Sequence, residues 1–214
     1  MVLFVLAAQL GCYQTPSTGA DTGVGAPLTL GLDGPCGRYA WLTLEGLGLR
    51  LASDTPCSAC GVTTSLAPDE HGYRTQLVRD DATTTTSWAC GENQVAVRQV
   101  AYGDDGADVD VYDPPLVRWV AGTAVGESWS TDSRLSQVRD GELLAQVQRA
   151  TTYTIEAEET LDLRPGLFKT LRVRDEDSGA LRWISEGFGL VQAVDAEGTV
   201  ALTGLSWPGE DTGG

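Results

Sequence analysis

The chain of 214 residues has little positive charge. It contains one lysine, Lys169, and one histidine, His71, and its 14 Lys and Arg residues face 30 Asp and Glu residues, for a formal net charge of −16. Nucleic acids and anionic membrane surfaces bind proteins through Lys and Arg, so nucleic acid is excluded as an expected partner. No polybasic stretch exists either, and any membrane attachment is therefore expected to be covalent.

Signatures of common enzyme classes are also missing. The sequence contains no glycine-rich phosphate loop, no dinucleotide fingerprint and no Gly-x-Ser-x-Gly nucleophile elbow. A general base at His71, in a segment of loop composition, would have no accompanying nucleophile motif. Glu156, Glu158 and Glu159 could pair as glycosidase carboxylates do, but their spacing also fits an exposed strand face. We therefore expect a protein without enzymatic activity, with a hydrolase of unknown substrate as an alternative.

The first residues are apolar and read MVLFVLAAQL, followed by Gly11 and Cys12. Such a run is typical of a secretory leader and is too short to span a bilayer. Gly11-Cys12 resembles the bacterial lipoprotein signal, although Gln9 and Leu10 depart from its usual residues. The resemblance implies a signal peptide over 1–11, a lipid on Cys12, and an exported protein at the outer membrane or cell surface. An ordinary cleaved leader or a retained N-terminal segment are the alternatives.

Composition divides the rest of the chain into three parts. Residues 12–27 are rich in turn formers and predict a flexible tether. Residues 28–207 predict one β domain, because short runs of alternating apolar residues recur between Gly, Asp and Pro. Residues 208–214 have the composition of a disordered tail.

Seven runs in the predicted domain have strand character, and turn residues such as Asp140-Gly141 separate them. The run over 143–155 could alternatively form one or two helical turns. The predicted strands lie at 39–44, 73–78, 94–102, 143–155, 168–173, 190–194 and 199–205.

If Cys12 carries lipid, four cysteines remain, and an even number in an exported chain predicts two disulfides of undetermined pairing. Cys57-Ser58-Ala59-Cys60 could instead be a redox pair, but no helix is predicted to follow it. A four-cysteine zinc site is the other alternative. The predicted disulfide cysteines are Cys36, Cys57, Cys60 and Cys90.

An internal similarity recurs at an offset of 95 residues. Residues 73–81 (YRTQLVRDD) match residues 168–176 (FKTLRVRDE), and Trp88 matches Trp183 at the same offset. A fixed offset between similar segments indicates an architectural repeat. We therefore predict two similar β units, over about 28–115 and 116–207. Together they would form an antiparallel sandwich or a curved, partly open barrel.

The second half resembles a group of bacterial envelope lipoproteins of unassigned function. The group carries G-x-x-W, P-x-G-x-F-x-T and W-x-x-x-G-x-G-L-V segments in this order. Here they read Gly126-Glu127-Ser128-Trp129, then Pro165-Gly166-Leu167-Phe168-Lys169-Thr170 with one residue fewer after the proline, then residues 183–191 (WISEGFGLV). The resemblance implies a curved antiparallel sheet, somewhat like the carriers that move lipoproteins across the periplasm.

Two further features suggest ligands. Carboxylates crowd around Gly106 and could wrap a calcium ion, although a polar hairpin with a solvated face is the favoured explanation. The candidate ligands are Asp104, Asp105, Asp108 and Asp110, with Asp113 nearby. Six tryptophans could line an apolar cavity, or pack in the core. We therefore expect a lipid-anchored binding or interaction module for an envelope protein, with a carrier of an apolar ligand as the alternative. No cofactor is expected apart from the possible calcium.

Overall fold

The computed structural model describes residues 45–53, 60–69, 72–79, 82–91, 93–196 and 198–208. These residues form twelve strands and no helix, and none of them belongs to a helix able to cross a membrane. The strands are β1 Gly48–Ala52, β2 Gly61–Asp69, β3 Gly72–Arg79, β4 Ala82–Cys90, β5 Gln94–Tyr102, β6 Asp108–Val120, β7 Ser128–Arg139, β8 Glu142–Leu163, β9 Gly166–Asp175, β10 Leu181–Ser185, β11 Gly189–Asp195 and β12 Gly198–Ser206.

Each strand pairs antiparallel with the next one along the chain, and β1 also pairs with β12, which closes the sheet into a barrel. The predicted all-β antiparallel class is confirmed. The sheet is closed, however, where the sequence predicted a sandwich or a partly open barrel. Closure depends on β1, a strand of five residues that the alternation pattern did not single out.

Five predicted strands lie within β3, β5, β9, β11 and β12. The run over 143–155 belongs to β8, which is extended for 22 residues and contains no helical turn. The predicted Asp140-Gly141 turn joins β7 to β8, and both residues have the positive φ, 50° and 79°, that a two-residue hairpin turn needs. The predicted strand at 39–44 and the predicted tail from 209 onward lie outside the described residues.

Buried side chains form two clusters. The first cluster is built mainly on β3 to β9 and contains Tyr73, Trp88, Val95, Val97, Leu116, Trp119, Trp129, Tyr153, Ile155, Val173 and Ile184. The second cluster is built on β1 and β9 to β12 and contains Leu47, Leu49, Leu51, Phe168, Trp183, Phe188, Val191, Val200 and Leu202.

Strand β9 contributes to both clusters by changing its buried face. Phe168 and Thr170 are buried at its start, and Val173 and Asp175 are buried at its end. Side chains alternate between the two faces of a strand, so the three-residue step from Thr170 to Val173 moves burial to the opposite face. Phe168 accordingly belongs to the second cluster and Val173 to the first.

The segments of the predicted repeat occupy comparable strands. Tyr73 and Trp88 lie on β3 and β4 and stack with ring centroids 5.7 Å apart, whereas Phe168 and Trp183 lie on β9 and β10 in the second cluster. The predicted boundary between residues 115 and 116 falls inside β6, Asp108–Val120. Within the described residues, six strands precede the β6–β7 connection and six follow it. The duplication itself stays a prediction.

Candidate functional site

A groove opens in the barrel wall where β6 and β7 separate. Its cavity volume is about 370 Å³, within the range of about 300–1,000 Å³ that is typical of ligand pockets. Small residues of β4 and β5 and the turn between them form its far side. The near side is formed by Pro114, Pro115 and Val117 of β6 and by Ser130, Thr131 and Asp132 of β7. We call this feature the β6–β7 groove.

The groove exists because the hydrogen-bonded ladder between β6 and β7 stops early. The two strands pair only from Val109 with Val138 to Asp113 with Arg134. The next residues of β6 are Pro114 and Pro115, and proline has no backbone N–H to donate across a ladder. β6 has a register shift against β5 at the prolines but resumes its pairing with β5 from Leu116 onward, whereas its pairing with β7 does not resume.

Two buried hydroxyls bridge the interruption. The backbone N–H of Val117 donates to Thr131 Oγ1 at 3.0 Å, and Ser133 Oγ donates to the carbonyl oxygen of Pro114 at 2.6 Å. Thr131 and Ser133 are 5% and 0% exposed. Buried backbone groups are costly without partners, so these hydroxyls replace the missing ladder bonds.

The lining of the groove contains few ionisable groups. Its lining contains one ionisable carboxylate, Asp132, and no histidine, lysine or arginine. Asp132 accepts a hydrogen bond from Gln148 of β8, and Ser130 Oγ lies 2.9 Å from Thr152 Oγ1. Ala89 and Ala96 keep the far wall shallow. This arrangement can accept hydrogen bonds and pack against small apolar groups, and its lining holds no paired nucleophile and base.

The aspartates predicted as calcium ligands do not converge. Asp110 is buried, accepts the Tyr102 hydroxyl at 3.0 Å and lies 3.1 Å from Arg139 Nη2, and Asp108 also faces Arg139 at 3.8 Å. Asp105 accepts a backbone bond from the loop residue Ala107. Among the residues that the structure describes, no three His, Cys, Asp or Glu side chains are arranged to hold a metal ion.

The Asp110 environment perturbs its neighbour Tyr102. Burial, followed by the hydrogen bond to Asp110 and the negative charge of that carboxylate, raises the pKa of Tyr102 to about 12. The guanidinium of Arg139 lies 5.2 Å from the Tyr102 ring centroid. The group therefore links β5, β6 and β7 at the paired end of the β6–β7 boundary.

The three glutamates considered as a glycosidase pair lie in ion pairs on β8. Glu158 contacts Lys169 at 2.8 Å, and Glu159 accepts from Arg172 at 3.4 Å and also from the Trp183 indole. Glu156 accepts from both Arg172 and Arg174, and the hydrogen bond from Arg174 is the main reason that the pKa of this carboxyl is lowered. A general acid needs a raised pKa, so the lowered pKa of Glu156 does not suit that role.

Asp175 is a polar centre that the sequence did not single out. Its Oδ1 accepts the Thr151 hydroxyl and the backbone N–H groups of Asp177 and Ser178, and Oδ2 faces Arg182. Burial raises the pKa of Asp175, but these hydrogen bonds and the charge of Arg182 outweigh it and hold the pKa below its ordinary value. Asp175 thereby fixes the β9–β10 turn.

Four of the six tryptophans are buried in the clusters and do not line the groove: Trp88, Trp119, Trp129 and Trp183. Trp129 sits between Trp119 and Tyr153, with ring centroids 5.6 and 5.3 Å away. These contacts are those of core packing. Trp207 packs at the margin of the second cluster, and Trp41 lies outside the described residues.

Only some of the other predicted site residues are among the described residues. Cys60 directly precedes β2 and Cys90 ends β4, where it also lines the groove. Cys12, Cys36, Cys57 and His71 lie outside the described residues, as do the predicted leader and tether. The bridging residues Thr131 and Ser133 were not predicted; the signal for them was the consecutive prolines within a strand-like run, which marks an interrupted ladder.

Comparison of the chain with protein-family models, with curated proteins and with solved structures returned no match.

Proposed function

We propose that this chain is an exported, lipid-anchored module of the bacterial cell envelope that binds an extended segment of a partner protein in the β6–β7 groove. The observation that carries the proposal is the groove itself, a cavity of about 370 Å³. Within the described residues, it lies at the only interruption between neighbouring strands that buried hydroxyls bridge. Grooves with a few convergent polar groups are typical binding sites.

The shape and chemistry of the groove favour a peptide as ligand. The lining combines small apolar residues with the side-chain acceptors Ser130 and Asp132 and the amide of Gln94. An extended peptide offers alternating small side chains and backbone N–H and C=O groups, which match such a surface. The single carboxylate favours a neutral or basic segment over an acidic one.

Lipid attachment is the second part of the proposal. Its support is the leader-like run, the Gly11-Cys12 pair and the tether composition over residues 12–27. Disulfides among Cys36, Cys57, Cys60 and Cys90 belong to the same export hypothesis.

A non-enzymatic role is the third part. It is supported by the lowered pKa of Glu156 and by a groove lining without histidine, lysine or arginine. If the protein were a hydrolase that uses His71 or the β8 glutamates, the His71→Ala or Glu156→Gln variant would be expected to lose an activity.

Site-specific photocross-linking in native envelopes tests the groove. A photoreactive amino acid at Ser130 is expected to form an adduct with one partner protein, identified by mass spectrometry of the linked peptide. Ser128 is a matched control, because it is also exposed on β7 and its Oγ likewise contacts a β8 threonine hydroxyl, Thr154, at 2.8 Å. Adducts of equal yield and identity from both positions, or from neither, would contradict the groove as the binding site.

The anchor has an independent test. The intact mass of protein from the membrane fraction is expected to match cleavage before Cys12 plus a diacylglyceryl group, and to rise by about four hydrogens on thiol reduction if two disulfides are present. A mass that begins at Met1 would contradict the export part and leave the groove untouched.

A further inference from the structure

Within the described residues, one edge of β8 has no strand beside it. From Glu142 to Thr152 the strand pairs with β7 on one side, but pairing with β9 on its other side begins only at Tyr153 opposite Asp175. The backbone N–H of Glu176 bonds the carbonyl oxygen of Thr152, so the open part covers residues 142–150. We call it the free β8 edge.

The free β8 edge is exposed on both faces. Every residue from 142 to 150 is exposed except Ala145, which is half-buried. Leu143, Leu144 and Val147 are 57%, 64% and 42% exposed and are three of the six large exposed apolar side chains of the described residues. An exposed apolar edge is a template for pairing with another strand, and proteins normally protect such edges with charges, prolines or a covering element.

The charges on the free β8 edge indicate an antiparallel second copy of the same edge as its partner. Glu142 and Arg149 stand at its two ends, and neither forms an ion pair with a described residue. An antiparallel copy of the same edge would bring each Glu142 close to the Arg149 of the other chain. A parallel copy would bring like charges together, which is unfavourable across neighbouring strands.

We infer that the protein forms a two-fold symmetric dimer in which the free β8 edges of two copies pair antiparallel and extend the sheets into each other. β8 carries one extra residue at Leu144, because Val138 pairs with Leu143 and Gln137 pairs with Ala145. This bulge places Glu142 and Arg149 on the same face of the strand, so a pairing that sets them opposite each other has its axis at Gln146. Such an interface is self-complementary, as a two-fold dimer requires. It groups the exposed apolar residues Leu143, Leu144 and Val147 of both chains, and it is independent of the groove proposal.

The strength of this contact is expected to be modest. A single edge of about nine residues buries less surface than stable dimers do, so dissociation in roughly the micromolar range is expected. The net charge of −16 opposes association at long range, but physiological salt limits this repulsion to about 8 Å. A high local concentration of anchored chains would favour the dimer.

Sedimentation equilibrium of the full-length chain in mild detergent measures the dimer. Val147→Lys is expected to weaken dimerisation at least roughly tenfold, because an edge lysine disfavours strand pairing. Val125→Lys introduces the same charge at a residue that is 51% exposed outside the edge and should leave the dissociation constant unchanged. A wild-type chain that stays monomeric at high micromolar concentration, or equal weakening by both variants, overturns the inference.

Charge exchange tests the orientation. Glu142→Arg and Arg149→Glu should each weaken the dimer several-fold, because each places like charges across the axis twice. The double variant E142R/R149E restores opposite charges and should recover most of the wild-type affinity. Circular dichroism checks that all variants keep the β fold. Additive weakening in the double variant overturns the antiparallel arrangement.

Discussion

The β6–β7 and β8–β9 boundaries join neighbouring strands in different ways. β8 and β9 pair from Tyr153 opposite Asp175 to Leu163 opposite Gly166, with one register shift between Ile155 and Ala157. Exposed and half-buried ion pairs cross this ladder. β6 and β7 pair over five positions and are then joined by two buried hydroxyls. The β6–β7 boundary opens a groove where its ladder ends.

The difference arises from a local backbone property. Pro114 and Pro115 remove two donors from β6, so the edge of β7 next to them cannot be satisfied by a regular ladder. No such residue interrupts β8 between 153 and 163. The position of the groove in this barrel therefore follows from where the β6–β7 ladder ends, and charge serves mainly to hold the β8–β9 boundary.

The largest expected effect lies at the β8–β9 boundary. Phe168 of β9 is fully buried and packs edge-on against Phe188, with ring centroids 5.2 Å apart. Phe168→Ala should lower the free energy of unfolding by about 3–5 kcal/mol, because a cavity replaces the ring. Urea unfolding measures this loss. Lys169→Ala, which removes an exposed ion pair, should change stability by less than about 0.5 kcal/mol.

The hydroxyl bridges should contribute less. Thr131→Val leaves the Val117 N–H without its partner, and Ser133→Ala leaves the Pro114 carbonyl without one, so each should cost about 1–2 kcal/mol. Amide hydrogen exchange at Val117 should accelerate specifically in Thr131→Val. Ser130→Ala removes an exposed hydroxyl and should be nearly neutral; an equally large loss there would remove the distinction between buried bridges and exposed contacts.

Low pH is expected to weaken the β8–β9 boundary first. The pKa values of Glu156 and Asp175 lie below their ordinary values of 4.5 and 3.8. A lowered folded-state pKa contributes stability that is present above the unfolded-state value and is lost as the pH falls through the folded-state value. Urea unfolding should therefore be nearly constant above about pH 5 and weaken below about pH 4.

Asp175→Asn tests the acid prediction directly. It should reduce the slope of stability against pH below about pH 4, because one titrating group is removed. Asp162→Asn changes an exposed carboxylate of β8 without a hydrogen bond or ion pair to a described residue and serves as control. If both variants keep the full slope, the acid sensitivity does not come from the β9–β10 turn.

The smallest effect concerns alkaline pH at the paired end of the β6–β7 boundary. The pKa of Tyr102 is raised from 10.0 to about 12. The neutral phenol is favoured in the folded protein, so its contribution is present below the unfolded-state pKa and is lost as the pH rises through the folded-state pKa. Ultraviolet absorbance titration should show a late transition of Tyr102, which Tyr102→Phe should remove. Burial also raises the pKa of Tyr112, so the transition of that residue should remain in the variant. An Asp110→Asn variant should shift the Tyr102 transition to lower pH.

Alternation of apolar residues located six of the twelve strands, namely β3, β5, β8, β9, β11 and β12. The predicted 94–102 strand coincides with β5, where Val95 and Val97 are two residues apart and both are buried. β4 was missed because its run of threonines carries no alternating apolar signal. β7 was missed because Thr131 and Ser133 occupy inward positions where apolar residues are usually found. A pattern of apolar spacing cannot recognise an inward hydroxyl whose partner lies on another strand.

Composition and alternation alone determined the all-β antiparallel class, the acidic character and the turn at Asp140-Gly141, because these depend on local conformational preference and residue counting. Only the tertiary structure decided that β1 closes the barrel on β12, that β9 changes its buried face, and that two prolines open a groove beside β7. These features depend on which strands become neighbours, and distant pairing is a property of the whole chain that no local pattern records.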